Sequence, residues 1–413
     1  MSRSMRVRAL LTALGVLTTV GLTSCGGDDD SSGNASPDAK SSSASSGGAA
    51  QVAVTLASGG SGDTCTLDTD SVEAGPVTFT VTNESATGIT EVELLSGLKI
   101  LGEKENLAPG LGPVNFTLTL GGGDYEIYCP GATEESLPFT VTGEASQSTG
   151  GSTQQALQEG ATEYGTYVDT QVSAMLDGVK KLQDAIDSGD LAAAQEAYAQ
   201  SRVYYERIES DVEGFVLPGF KPTDNNGNLD YLIDMRASNI DPAVGWHGFH
   251  AIERDLFGRE KITAGTKKYA AELTKNVTKL VDVAKTLTYA PEDLANGAAG
   301  LLEEVQANKI SGEEEAFSHI DLLDFAGNVE GAKEAFAYLQ PGLEQIDPEL
   351  TATITDRFDA VDDMLDDYRD PNALGGYVLY TPALRKTDAN KLSQSVQALQ
   401  DSLSRLAEKV ATA

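Results

Sequence analysis

The sequence predicts two folded parts of different class, a small all-β sandwich followed by a larger all-α helical bundle. Between residues 51 and 142 apolar side chains alternate with threonine at period two, the mark of half-buried strands. From Tyr164 onward they recur every three or four residues, which is the helical period. Stretches of Ser, Gly, Thr and Gln precede and separate these regions, and they hold too few large apolar groups to bury a core. The expected boundaries are 51–143 for the sandwich, 144–155 for a linker and 156–413 for the bundle.

Residues 1–24 read as a signal peptide. Arg3, Arg6 and Arg8 precede an apolar run over 9–22, and Leu22-Thr-Ser-Cys25 has the form of a lipobox. Cleavage before Cys25 leaves a cysteine carrying a diacylglyceryl group, whose two chains make a stable membrane anchor. Residues 25–50 then serve as a flexible tether, which places the folded parts on the extracytoplasmic face of the cell membrane. With 29 Lys and Arg against 63 Asp and Glu the net charge is −34. That balance excludes nucleic acid and anionic lipid as partners and concentrates cations around the protein.

In the sandwich, Val52-Ala-Val54-Thr-Leu56, Val77-Thr-Phe79-Thr-Val81, Phe116-Thr-Leu118-Thr-Leu120 and Phe139-Thr-Val141 give the strands. Turn signals at 73–76, 108–113 and 121–123 divide them. A blue-copper centre needs two His, a Cys and usually a Met. The first histidine is His247 and no methionine lies between Met5 and Met175, so that centre is excluded. The chemistry left is Cys65, Cys129, Glu91, Glu93 and Glu126, with Glu91 and Glu93 on one sheet face. In an oxidising compartment the two cysteines either form a disulfide between first and last strands or hold a metal with those carboxylates.

In the bundle, Tyr164, Val168, Val172, Leu176, Val179, Leu182 and Ile186 define a first helix that Gly189 closes. Leu191, Ala194, Tyr198, Tyr205, Ile208 and Val212 define a second, and further helices are expected over 269–287, 314–338, 350–368 and 390–410. On the second helix Arg202, Glu206, Glu209 and Glu213 form one polar stripe, a solvated face unless something meets it. Asp224, Asn226 and Asn228 begin like a calcium loop. Its sixth position is Leu229 instead of Gly and its twelfth Met235 instead of Glu, which excludes that motif. His250 and Glu253 stand at i and i+3 and share a helix face, a pairing that presents nitrogen and oxygen to a metal together. Ser311 and Glu314 fit a capping box at the start of the next helix, within the acidic run Glu313, Glu314 and Glu315.

Four motifs in order, Tyr204-Tyr-Glu206-Arg-Ile-Glu209, Ile233-Asp234-Met-Arg236, Gly248-Phe-His250-Ala-Ile-Glu253-Arg-Asp-Leu-Phe257 and Ile310-Ser-Gly-Glu-Glu-Glu-Ala-Phe-Ser-His319-Ile-Asp-Leu, resemble the imelysin-like domain of EfeO-type iron uptake lipoproteins. The strand order and Gly123-Asp-Tyr125-Glu-Ile-Tyr-Cys129 resemble a cupredoxin. The resemblance implies an iron-binding component, carrying Fe2+ or Fe3+, that works with an EfeU-like membrane permease and an EfeB-like haem peroxidase. It implies Glu206, Glu209, Asp234, His250, Glu253 and one of Glu313, Glu314 and Glu315 as ligands in the bundle. In the sandwich it implies a metal, Cu2+ or Zn2+ among the choices, at Cys65, Glu91 or Glu93, Glu126 and Cys129. Carboxylates with one imidazole suit iron better than a thiolate-seeking ion. The rival reading as a metallopeptidase lacks the second histidine of the zinc signatures, since Arg254 follows Glu253. A ferroxidase reading suffers from the absence of histidine in the sandwich.

Overall fold

A computed structural model describes residues 48–97, 99–144, 150–221 and 223–413, without the side chains of 212–214. The expected signal peptide, Cys25 and the side chain of Glu213 lie outside this set. No helix among the described residues is long and apolar enough to cross a membrane.

Among the described residues the first part is a two-sheet sandwich of nine strands: β1 Ala50–Gly59, β2 Gly62–Leu67, β3 Ser71–Glu73, β4 Gly75–Asn83, β5 Val92–Ser96, β6 Lys99–Lys104, β7 Val114–Leu120, β8 Gly123–Tyr128 and β9 Ser136–Thr142. One sheet has the order β2-β1-β4-β7 and the other β3-β9-β8-β5-β6. The period-two alternation sends Val77, Phe79 and Val81 inward, where Phe79 stacks on Phe116 at 5.0 Å and meets Phe139 edge-on at 5.3 Å. Cys65 on β2 and Cys129 just beyond β8 are bridged, with 6.3 Å between their Cα atoms. The bridge ties the two sheets together at β2 and β8 and does not join first and last strands. A bridged sulfur is no thiolate, so neither cysteine is a metal ligand in this state.

The second part comprises α1 Ser152–Ser188, α2 Leu191–Glu206, α3 Leu229–Asp234, α4 Gly248–Glu253, α5 Ala264–Ala284, α6 Pro291–Glu304, α7 Asp321–Ile346, α8 Pro348–Asp366, α9 Pro382–Leu403 and α10 Leu406–Ala411. Helix α1 packs on α2, α5 and α7. It ends where expected, with Gly189 in the left-handed conformation and its N–H returned to the last turn. It starts earlier than the linker expectation allowed, because polar Ser152, Thr153 and Gln154 continue the helix.

Two other expectations fail at helix ends. Helix α2 stops at Glu206 and a tight 3₁₀ turn follows over Glu209–Gly214, so the four-residue polar stripe does not lie on one helix. The break coincides with the crossing of α7. A Cβ at Gly327 would press on the Glu206 side chain and one at Gly331 on the Arg207 carbonyl oxygen, so only glycine admits that approach. The helix expected from 314 begins at Asp321, and the Ser311 hydroxyl donates to the Asn308 carbonyl at 2.8 Å instead of capping it. Residues 310–320 are an irregular loop.

Helix α6, which the periodicity did not single out, joins the two parts. Strand β7 is the edge of its sheet, and its free backbone groups would otherwise be unpaired. Asn296 donates to the Thr117 carbonyl at 2.8 Å and Glu292 accepts from the Thr119 N–H at 3.0 Å. Lys104, at the end of β6, pairs with Glu303 at 2.7 Å, its side chain 5% exposed.

Candidate metal centre

The chemistry gathers where α2, α3, α4, the 310–320 loop and α7 meet. Helix α4 is only one and a half turns long, and it presents His250 and Glu253 on one face, both buried. Gly248 begins it with φ of 75°, and a Cβ there would overlap the Ile233 carbonyl oxygen. That glycine therefore lets α4 sit against α3 and bring His250 up to Asp234. Irregular π turns continue α4 over Arg254–Gly258 and α6 over Val305–Lys309, and the second ends on Lys309.

Both ring nitrogens of His250 face carboxylates. Nε2 lies 3.3 Å from Glu314 Oε1 and 3.5 Å from Asp234 Oδ1, while Nδ1 lies 3.1 Å from Glu253 Oε2 and 3.9 Å from Glu315 Oε1. Two sets of donors that share the imidazole are thus each compact enough for one ion: Asp234, His250 and Glu314, and His250, Glu253 and Glu315, all five residues buried. The two sides are not equivalent. Glu253 Oε1 already accepts from the backbone N–H groups of Phe317 and Ser318 at 2.7 and 2.8 Å, and Glu315 accepts from the Tyr198 hydroxyl at 2.8 Å and from Ser318. The Nδ1 side is satisfied by protein, the arrangement that fixes a metal-binding imidazole from behind.

Three cations hold the remaining acids apart, Arg202 and Lys309 buried and Arg236 half-buried. Arg202, fully buried over the Phe249 ring, pairs with Asp234 and Glu206 and lies 3.2 Å from Asp324 and 3.3 Å from Glu314 and Glu315. The Lys309 ammonium lies 2.9 Å from Glu209, 3.2 Å from Glu206 and 3.6 Å from Glu314. Arg236 reaches Glu304 and Glu314 at 3.1 Å each. Asn328 of α7 adds donors to Glu206 at 3.2 Å and Glu209 at 2.9 Å.

These neighbours set the protonation states. Burial disfavours the charged imidazole, but the Asp234 charge and the hydrogen bonds to Glu253 and Glu314 outweigh it and hold His250 well above its ordinary range. Burial also pushes Glu314 up, against Lys309, Arg236 and His250, which prevail and hold it well below the usual carboxylate range. For Glu206, Glu315 and Asp324 burial prevails and each is raised well above it. The site thus keeps its ionised carboxylate, Glu314, beside a protonated imidazole. Were a cation to bind at Nε2, it would take the place of that proton.

The sequence-predicted residues sort by position. Asp234, His250, Glu253, Glu314 and Glu315 converge. Glu206 and Glu209 turn to Lys309 and Asn328 instead of the imidazole. Glu313 is exposed and takes no part. In the sandwich Glu91 and Glu93 meet Glu103, directly opposite Glu93 on β6, and all three face a common point. Glu126 stands across β5 at the level of Leu95 and Cys129 is bridged, so neither joins that group. Lys309, Asp324, Glu304 and Glu103 were missed. For Lys309, Asp324 and Glu304 the signal was an ionisable residue next to an apolar one, as in Lys309-Ile and Leu-Leu-Asp324-Phe, on elements far apart in sequence, whereas Glu103 stands between Gly102 and Lys104 and carried no such signal.

A cleft of about 440 Å³ runs between sandwich and bundle. The Glu91, Glu93 and Glu103 group lines one wall, and Glu304, Arg236, Asp234 and Glu314 line the other.

Comparison with known proteins agrees with this architecture. Residues 160–406 match the imelysin family. The chain is 36% identical over 346 residues to the iron uptake system component EfeO of Escherichia coli O1:K1, covering 83% of this chain and 88% of that protein. Those of Escherichia coli K12 and Shigella flexneri are 35% identical with the same coverage of each chain. The imelysin match over the bundle and a likeness covering 83% of the chain place it in the family of EfeO-type iron uptake components.

Proposed function

We propose that this protein binds iron outside the cytoplasmic membrane and passes it to a membrane permease, without itself catalysing a reaction. The observation that carries the reading is the convergence of His250 Nε2, Asp234 and Glu314 at the wall of an acidic cleft. One imidazole with two carboxylates and room for water suits Fe2+ or Fe3+. Glu253 holds the imidazole from behind and Glu315 supports it, while Arg202 and Lys309 keep the surrounding acids from collapsing onto one another. The relatives' name, iron uptake system component, supports the iron assignment. Cys25 is the proposed lipid anchor, and the permease and a haem peroxidase are the proposed partners.

Iron analysis and equilibrium titration of the purified protein test this, with Asp234→Asn and Glu314→Gln beside the wild type. Saturable binding of iron that both variants weaken is the expected result. Equal binding by all three proteins contradicts the assignment of these ligands.

A further inference from the structure

We infer that the cleft between sandwich and bundle is the path by which the cation reaches His250, and that Arg236 is the gate on that path. The inference rests on the iron-binding reading above and adds to it how the ion enters and leaves. His250 is 1% exposed, so an ion must pass other groups to reach it. Of the four carboxylates around the imidazole, Asp234 and Glu314 line the cleft, whereas Glu253 and Glu315 do not. The Nε2 side therefore faces the opening.

Arg236 stands across that opening. Its Nη1 bridges Glu304 Oε2 and Glu314 Oε2, each at 3.1 Å, while the other oxygen of Glu314 faces His250. An incoming cation and the guanidinium compete for one carboxylate, and one positive charge replaces the other. A displaced Arg236 retains Glu304, and the cleft offers Glu209 from the bundle and Glu105 from the sandwich. Leaving Glu314 therefore does not strand its charge, which lets the exchange proceed in both directions. The acid-lined cleft draws cations toward this point, as fields focused in clefts do.

The single tryptophan reports the event. Trp246 Nε1 donates to the carbonyl of Met235, between Asp234 and Arg236, at 2.7 Å. Stopped-flow quenching of its fluorescence by Fe2+ under anaerobic conditions measures association, and chasing with a chelator measures release. For Arg236→Gln both rate constants should rise by about tenfold, the scale of one charged hydrogen bond, with a smaller change in their ratio. Glu304→Gln, which removes the gate's anchor, should shift both rates the same way if Arg236→Gln folds poorly. Wild-type uptake with unchanged rates in folded variants overturns the gate alone. A wild-type protein that takes up no iron overturns the gate and the iron-binding reading together.

Discussion

Glu303 and Glu304 are consecutive at the end of α6, yet they serve different parts of the molecule. Glu303 pairs with Lys104 of the sandwich at 2.7 Å, and Glu304 accepts from Arg236 beside the candidate metal centre at 3.1 Å. The helix end that docks the sandwich is thus the helix end that holds Arg236. The Lys104 ammonium is nearly buried, so Lys104→Met leaves Glu303 without its partner and should destabilise the protein by about 2–4 kcal/mol. Replacing both, as Lys104→Met with Glu303→Leu, should recover much of that loss in thermal melts. An unaltered melting temperature in the single variant would show that the pair does not hold the interface.

Lys309 is a fully buried ammonium whose burial opposes its charge while Glu206, Glu209 and Glu314 sustain it. Removing it as Lys309→Met leaves those acids in mutual repulsion and should cost about 3–5 kcal/mol in the metal-free protein. Adding Glu206→Gln should restore part of it, which a double-mutant cycle on chemical denaturation reads directly.

The metal-free protein should be more stable in mild acid than at neutral pH. Burial raises Asp211, Asp230, Asp293 and Asp321 from an ordinary 3.8 to about 7 each. Each holds its proton more tightly when folded, so the stability it lends is present below the ordinary value and lost as pH rises through about 7. His250, raised by its carboxylates, acts in the same direction. Glu314 and Glu304 are lowered, and their opposing effect enters only below the ordinary 4.5. Melting temperatures measured at about pH 5.5 and about pH 7.5 should therefore be higher at the lower pH. The reverse order would mean that these acids are ionised in the folded protein.

Mass spectrometry of the unreduced protein should find no free thiol at Cys65 or Cys129. The bridge closes a separation of 64 residues, for which the chain-entropy argument gives about 4 kcal/mol. A Cys65→Ala, Cys129→Ala variant should lose stability in the sandwich while keeping its iron affinity, since neither of these cysteines lies among the His250 carboxylates.

How much of this the sequence discloses depends on whether the signal is periodic. The threonine alternation marked the sandwich, the Tyr164 to Ile186 repeat marked α1, and the three-residue spacing of His250 and Glu253 marked a shared face. The polar stripe of α2 was ambiguous, because spacing cannot tell a solvated face from a buried one. Arg202 and Glu206 are buried since α7 covers them, and what admits α7 is a pair of glycines more than a hundred residues away. The counter-cation Lys309 and the acids Asp324 and Glu304 likewise come from separate elements, so only the fold brings them together. The helix expected from 314 starts late because the acids of that run are drawn inward to His250 and Arg202 instead of forming its first turn.

Parallel titration of wild type, His250→Gln and Glu313→Gln with iron asks most directly whether the imidazole is at the heart of the centre. Loss of a ligand should weaken binding by more than about 100-fold, beyond the range seen for supporting residues, while exposed Glu313→Gln should bind as the wild type does. Undiminished affinity in a folded His250→Gln protein would place the iron elsewhere and contradict the account.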